Sequence, residues 1–132
     1  KEEHFNEIRI ELLDVFRNIC FVLPCPDCQE HAKRFVNTHN FDLIKTKNDF
    51  ILMLWSFHNS VNKRKLRNGA IFSQSSLAMY DNAIFIKIFN NFAEKFTRPI
   101  HSQRLLMDSM GRTTVVNKIR NFIKNNITKF NV

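Results

Sequence analysis

The sequence predicts an all-α fold. Only 2 glycines and 3 prolines occur in 132 residues, which leaves few turns from which to build a multistranded sheet. Apolar residues return every three or four positions along most of the chain. Several of these stretches open on recognisable helix-start signals.

The first helix is expected over residues 3–22, where Phe5, Ile8, Leu12, Phe16 and Ile19 form one stripe. Pro24 stops it. A second helix begins at once, with Cys25 placed as N-cap and Pro26 at the first helical position, where a missing N–H costs nothing. Its stripe is Cys28, Ala32, Phe35 and Val36, and it fades over residues 37–40. The third helix covers 47–64, opened by Thr46 with Asp49 in place of the preferred Glu or Gln of a capping box. Phe50, Leu54, Phe57 and Val61 are its expected buried face, and Asn68-Gly69 is its expected stop.

A fourth helix is expected over 75–96, with Leu77, Ile84, Ile88, Phe92 and Phe96 in step. Pro99 opens a short fifth helix ending near Met110-Gly111. Thr114 opens a sixth, with Val115, Ile119, Phe122, Ile123 and Ile127 on one side. There is no internal repeat. Residues 1–67 carry the chemical motifs, and 68–132 read as a helical C-terminal extension.

With 44% hydrophobic residues, 14 of the 132 being Phe, the chain can bury a modest single core. No run of about 18 apolar residues exists, so no membrane span is expected. The net charge of +8 suits nucleic acid, an anionic surface or a phosphate-bearing ligand. It is spread along the chain, as on an ordinary solvated surface, and does not by itself argue for nucleic acid.

The three cysteines, Cys20, Cys25 and Cys28, are too few and too odd in number for a secreted disulfide scaffold. Cys25 and Cys28 form a C-x-x-C at a helix start. The free N–H groups and partial positive charge there favour thiolate, the reactive form. Two sulfurs on one turn can close a disulfide and cycle with the dithiol. Two other readings stay open for the pair: half of a zinc site completed by His31 and His58, or two small buried hydrophobes. Cys20, one turn after Phe16, reads as a packing cysteine.

His58 and Asn62 are four apart and share a helix face. With Asn59, Val61 and the basic run Lys63, Arg64, Lys65 and Arg67, they could meet a flat heteroaromatic ligand that bears phosphates. An ordinary helix C-terminus carries the same residue types. Trp55 reads as core.

Together, Leu23-Pro24-Cys25-Pro26-Asp27-Cys28-Gln29-Glu30-His31-Ala32 and, about thirty residues on, His58-Asn59-Ser60-Val61-Asn62 resemble the Erv/ALR family of FAD-linked sulfhydryl oxidases. The Cys28-Gln29-Glu30-His31-Ala32 continuation is most like members encoded by large DNA viruses. The resemblance covers residues 5–67. It implies a four- or five-helix bundle, usually a homodimer, that holds FAD and oxidises protein thiols with O2 to give hydrogen peroxide. Cys25 would exchange with incoming thiols of a substrate or relay protein, and Cys28 would face the flavin. His58, Asn59, Val61 and Asn62 match the FAD-contact motif, with Arg64, Arg67 and His31 as further FAD-binding residues. The implied location is infected-cell cytoplasm or virion, with mitochondrial intermembrane space and secretory lumen as other homes of the family.

Four departures accompany the match. The family's earlier helix, with a Trp and a His packing on FAD, has no counterpart before Phe5, so it is expected upstream of Lys1 unless the site is incomplete. Leu23 stands where an aromatic commonly precedes the P-C pair. Met53 stands where a Trp is common, with Trp55 two residues later. The shuttle cysteine pair is absent. Two other functions therefore stand beside the oxidase: a structural virion protein that keeps the bundle without activity, and a zinc-dependent basic binding module.

Overall fold

The computed structural model describes residues 1–65, 73–99 and 103–131, and in them the protein is all-α. Five α-helices run α1 Phe5–Phe21, α2 Pro26–Thr38, α3 Lys47–Arg64, α4 Phe85–Phe96 and α5 Gln103–Asn125. Short 3-10 turns at Glu2–His4, Phe41–Leu43, Gln74–Tyr80 and Ile127–Lys129 punctuate them.

α2 and α3 start where their caps require. Cys25 is extended, its Sγ accepts from the Cys28 N–H at 3.4 Å, and Pro26 takes the first helical position. At α3 the Thr46 hydroxyl accepts from the Asp49 N–H, and Asp49 Oδ2 accepts in return from the N–H groups of Thr46 at 2.8 Å and Lys45 at 3.0 Å. The shorter Asp thus completes a capping box, and these bonds hold its carboxyl below the usual carboxylate range.

α1 lies between two apolar clusters. Phe5, Leu13, Phe16 and Cys20 on one side pack with Ala32, Phe35 and Val36 of α2, with Phe41 and Ile44, and with Met53 of α3. Ile8, with Leu12, Val15 and Ile19 beside it, meets Phe89, Ala93 and Phe96 of α4 and Val115, Val116, Ile119, Phe122 and Ile123 of α5. Buried Arg112 ties α5 to α4, its Nε donating to the Phe96 carbonyl at the C-terminal end of α4.

The later half departs from the sequence expectation. The helix expected over 75–96 is interrupted: a 3-10 turn over Gln74–Tyr80 gives way to a turn at Asp81 and Asn82, and α4 starts afresh at Phe85. Ser, Asp and Asn offer their own hydrogen bonds to the backbone and compete with helix there. The apolar phase therefore resets, burying Phe89, Ala93 and Phe96 while Ile84 and Ile88 stay exposed.

The expected fifth and sixth helices are one, running through Gly111. Glycine in a helix interior costs only about 1 kcal/mol relative to Ala, and the stripe from Val115 to Ile123 outweighs it. A Cβ at Gly111 would meet Val22 Cγ1 at an ordinary 3.6 Å, so no close approach demands glycine there. Ile127, expected on the buried stripe, lies past the end of α5 and is exposed. The expected stop at Asn68-Gly69 lies outside the described residues. Among those described, no helix is long and apolar enough to cross a membrane.

Candidate functional site

The expected buried face of α3 is only half covered. Phe50, Leu54, Phe57 and Val61 are all partly exposed, and Met53 is the buried residue of the helix. Leu54, Phe57 and Val61 border a cavity of about 770 Å³ between α1, α2, α3 and α4. Its apolar wall is Phe16, Leu23, Leu54, Phe57, Val61 and Phe92, and its polar positions are Cys28, His31, His58, Asn62, Arg64 and Lys65. Six of the residues singled out in the sequence thus line one space: Cys28, His31, His58, Val61, Asn62 and Arg64. Cys25 and Asn59 are not among its lining residues, and Arg67 lies outside the described residues. The Phe16 and Phe57 rings meet edge to face at 5.5 Å.

Sequence reasoning missed Phe16, Leu23 and Phe92 as wall residues. Phe92 reaches the cavity from α4, inside the stretch expected to be an extension, and no local signal in the sequence announces a contact at that separation. Trp55, expected in the core, is half-buried and belongs to neither cluster. It lines a second cavity of about 550 Å³ with Tyr80, Leu77 and His58, which borders both spaces.

The two thiols of the C-x-x-C differ. The Cys28 thiol and Cys28 N–H both donate to Cys25 Sγ, holding Cys25 below the usual thiol range. The same thiol–thiol bond raises Cys28, with burial adding to it, while the nearby cations Lys65 and Arg64 oppose the rise. Burial alone pushes Cys20 up to about 12. Alkylation at neutral pH should therefore label Cys25 first, Cys28 more slowly, and Cys20 only after unfolding. The Cys25 rate should persist as pH falls below the ordinary thiol range and decline only through its depressed value. Peptide mapping over a pH series checks the order, and Cys28 labelling ahead of Cys25 would contradict it. For the zinc alternative, no group of three or more His, Cys, Asp or Glu side chains gathers as a metal site among the described residues.

The Erv1/Alr family pattern matches residues 1–81, which takes in the C-x-x-C, the His58–Asn62 face and every helix that bounds the cavity except α4. The chain belongs to the Erv1/Alr family. Over 60 residues it is 37% identical to Sulfhydryl oxidase 1 of Gallus gallus, a match that covers 44% of this chain and 8% of that relative. The chain therefore spans a small part of the curated relative it matches. No solved structure gives a significant match. Within the Erv1/Alr frame, Met53 occupies a core position while Trp55 faces the second cavity, so the two are not equivalent places for a ring.

Proposed function

We propose that this Erv1/Alr chain is an FAD-linked thiol oxidase that makes disulfides in protein substrates, with O2 as electron acceptor and hydrogen peroxide as product. The observation that carries the reading is the joining of Cys28, His58, Asn62 and Arg64 on one cavity from two different helices. Its volume lies within the roughly 300–1,000 Å³ usual for small-molecule and cofactor sites. An aromatic and aliphatic wall with a few polar groups suits a flat heteroaromatic ring, and Arg64 and Lys65 supply cations for phosphates. Bound FAD would supply the two-electron chemistry between a dithiol and O2. His58, Asn62 and Val61 would hold it from α3, with Asn59 and Arg67 as further contacts from the family motif and His31 from α2.

The protein's own part is thiol exchange. Cys25, which lies outside the cavity lining while Cys28 is part of it, is the partner for incoming thiols, either of substrates directly or of a relay protein. Attack on Cys25 of the disulfide releases the Cys28 thiolate. With Cys25 then engaged, its hold on the Cys28 proton is gone, and Arg64 and Lys65 favour the anion at the cavity. The homodimer usual in the family is part of this reading. The Gln29-Glu30-His31-Ala32 continuation supports placing the chain with members encoded by large DNA viruses, working in infected-cell cytoplasm or the virion.

The visible spectrum of the full-length protein with and without dithiothreitol tests the proposal. Flavin bands should bleach under anaerobic thiol and return with air. A protein that neither carries nor takes up FAD would overturn it. His58→Ala should weaken FAD binding by about tenfold, the scale of one lost hydrogen bond. Flavin titration of the variant checks this, and unchanged affinity would remove His58 from the cofactor face.

A further inference from the structure

His31 stands between two spaces. It lines the large cavity with Cys28, and with Asp27, Glu30, Arg34 and Arg64 it lines a smaller one of about 170 Å³. Cys28 and His31 are three apart on α2, so their Cβ atoms are roughly 5–6 Å from each other. The ring lies nearly parallel to Phe57 of α3, centroids 6.3 Å apart.

Ser60 is the hydrogen-bond partner of the His31 ring. The Ser60 hydroxyl donates its single proton to the Phe57 carbonyl at 2.7 Å. Toward His31 Nε2, 3.0 Å away, it can only accept. The Nε2–H tautomer is the one that completes both bonds at Ser60, and it leaves Nδ1 as the accepting nitrogen of the neutral ring. Burial, with Arg64 and Arg34, holds this imidazole below its usual range, so the neutral ring prevails at pH 7. The charged and titratable groups around it are Asp27, Cys28, Glu30 and Arg34 on α2, and His58, Arg64 and Lys65 at or near the end of α3. From α4 the large cavity receives only Phe92.

We propose that Ser60 is a positioning residue that holds His31 as the acceptor of the Cys28 proton, and that this proton leaves through the smaller cavity toward Asp27 and Glu30. The inference rests on the thiol-oxidase reading above. When the reduced pair closes to the Cys25–Cys28 disulfide, one S–S bond forms and two S–H bonds are lost. Two electrons are delivered to the bound flavin. The Cys25 proton goes to solvent, and the Cys28 proton goes to His31 Nδ1 and on to the carboxylates. An imidazole with lowered basicity releases it readily, so His31 is ready for the next cycle.

Two measurements test this. Imidazole 15N NMR on the flavin-free protein reads the tautomer without any turnover. The Nε2–H form is expected in the wild type and a mixture in Ser60→Ala, and an Nδ1–H wild type overturns the proposal. The second is the anaerobic rate of flavin reduction by dithiothreitol, per bound flavin, over roughly pH 5 to 8. The wild-type rate should fall as pH drops through a value below the usual imidazole range, because imidazolium cannot accept. His31→Gln should slow the step by about 100-fold and lose that inflection. Ser60→Ala should slow it by about tenfold, the scale of outer-shell partners of functional imidazoles, and Ser60→Thr, which keeps the hydroxyl, should restore it. An inflection that survives in His31→Gln, or a wild-type rate in Ser60→Ala, overturns the proton step while leaving the oxidase reading intact. A wild type that reduces no flavin removes the oxidase reading, and the proton step with it.

Discussion

Replacing Cys28 with Ser is expected to lower oxygen consumption by ~1000-fold or more, the scale of losing a covalent nucleophile, while flavin stays bound. The substitution changes one atom at the wall of a cavity whose other lining residues are untouched. Ser still fits the first turn of α2, and Pro26 and Cys25 still cap it. What is lost is the second sulfur: Cys25 has no partner with which to form a disulfide, so an incoming thiol meets nothing it can reduce. Oxygen uptake with dithiothreitol, measured beside flavin content, separates the two effects. Unchanged uptake would remove the dithiol from the reaction. Full loss of flavin would mean that Cys28 holds the cofactor rather than serving it.

Phe16→Ala is expected to destabilise the protein by about 3–5 kcal/mol, the range for truncating a buried aromatic. Phe16 is 8% exposed and is the hinge of the aromatic contacts in the first cluster, edge-on to Phe57 at 5.5 Å and tilted against Phe41 at 6.2 Å. These two neighbours come from separate segments, the turn at Phe41–Leu43 and α3, so no small shift of one of them can refill the space. In a domain of this size the midpoint of thermal unfolding should drop by ~10 °C or more. Ile10→Ser on the same helix is the control, since Ile10 is 75% exposed and its change should stay within about 0.5 kcal/mol. Equal midpoints for the two variants would contradict the placement of Phe16. Because Phe16 also lines the large cavity, its loss should widen the proposed cofactor site, and flavin release should be faster at temperatures where the fold survives.

The sequence announced these features unevenly, for local reasons. The starts of α2 and α3 were readable because their caps are made within four residues: Cys25 with Pro26 and Cys28, and Thr46 with Asp49. His58 and Asn62 share the cavity because a four-residue spacing on a helix leaves no other choice. The Ser76 to Asn82 region misled because its apolar residues fit a helical period while its hydroxyl and amide side chains favour turns. Gly111 misled in the opposite direction, a stop signal overridden by packing on α1. The half-covered face of α3 was hidden for a different reason, since a stripe that walls a cavity has the same composition as one that fills a core. Phe92 beside Cys28 and Ser60 beside His31 depend on how helices pack across 64 and 29 residues of chain, which no residue pattern within one helix encodes.

The placement of α1 between its two clusters has a consequence for how the molecule comes apart. Neither cluster can be dismantled without stripping one side of the same helix, so the redox half and the C-terminal half share a common thermodynamic fate. Removing α5 would uncover Ile8, Val15 and Ile19 to water and leave a sticky ridge on the very helix that supports the dithiol. Denaturation should accordingly proceed as one cooperative transition, with the amides of α1 the last to exchange with solvent. The stretch beyond the family motifs is in that sense a second keel for the redox centre, and a shortened chain that kept every motif would lose the foundation under them.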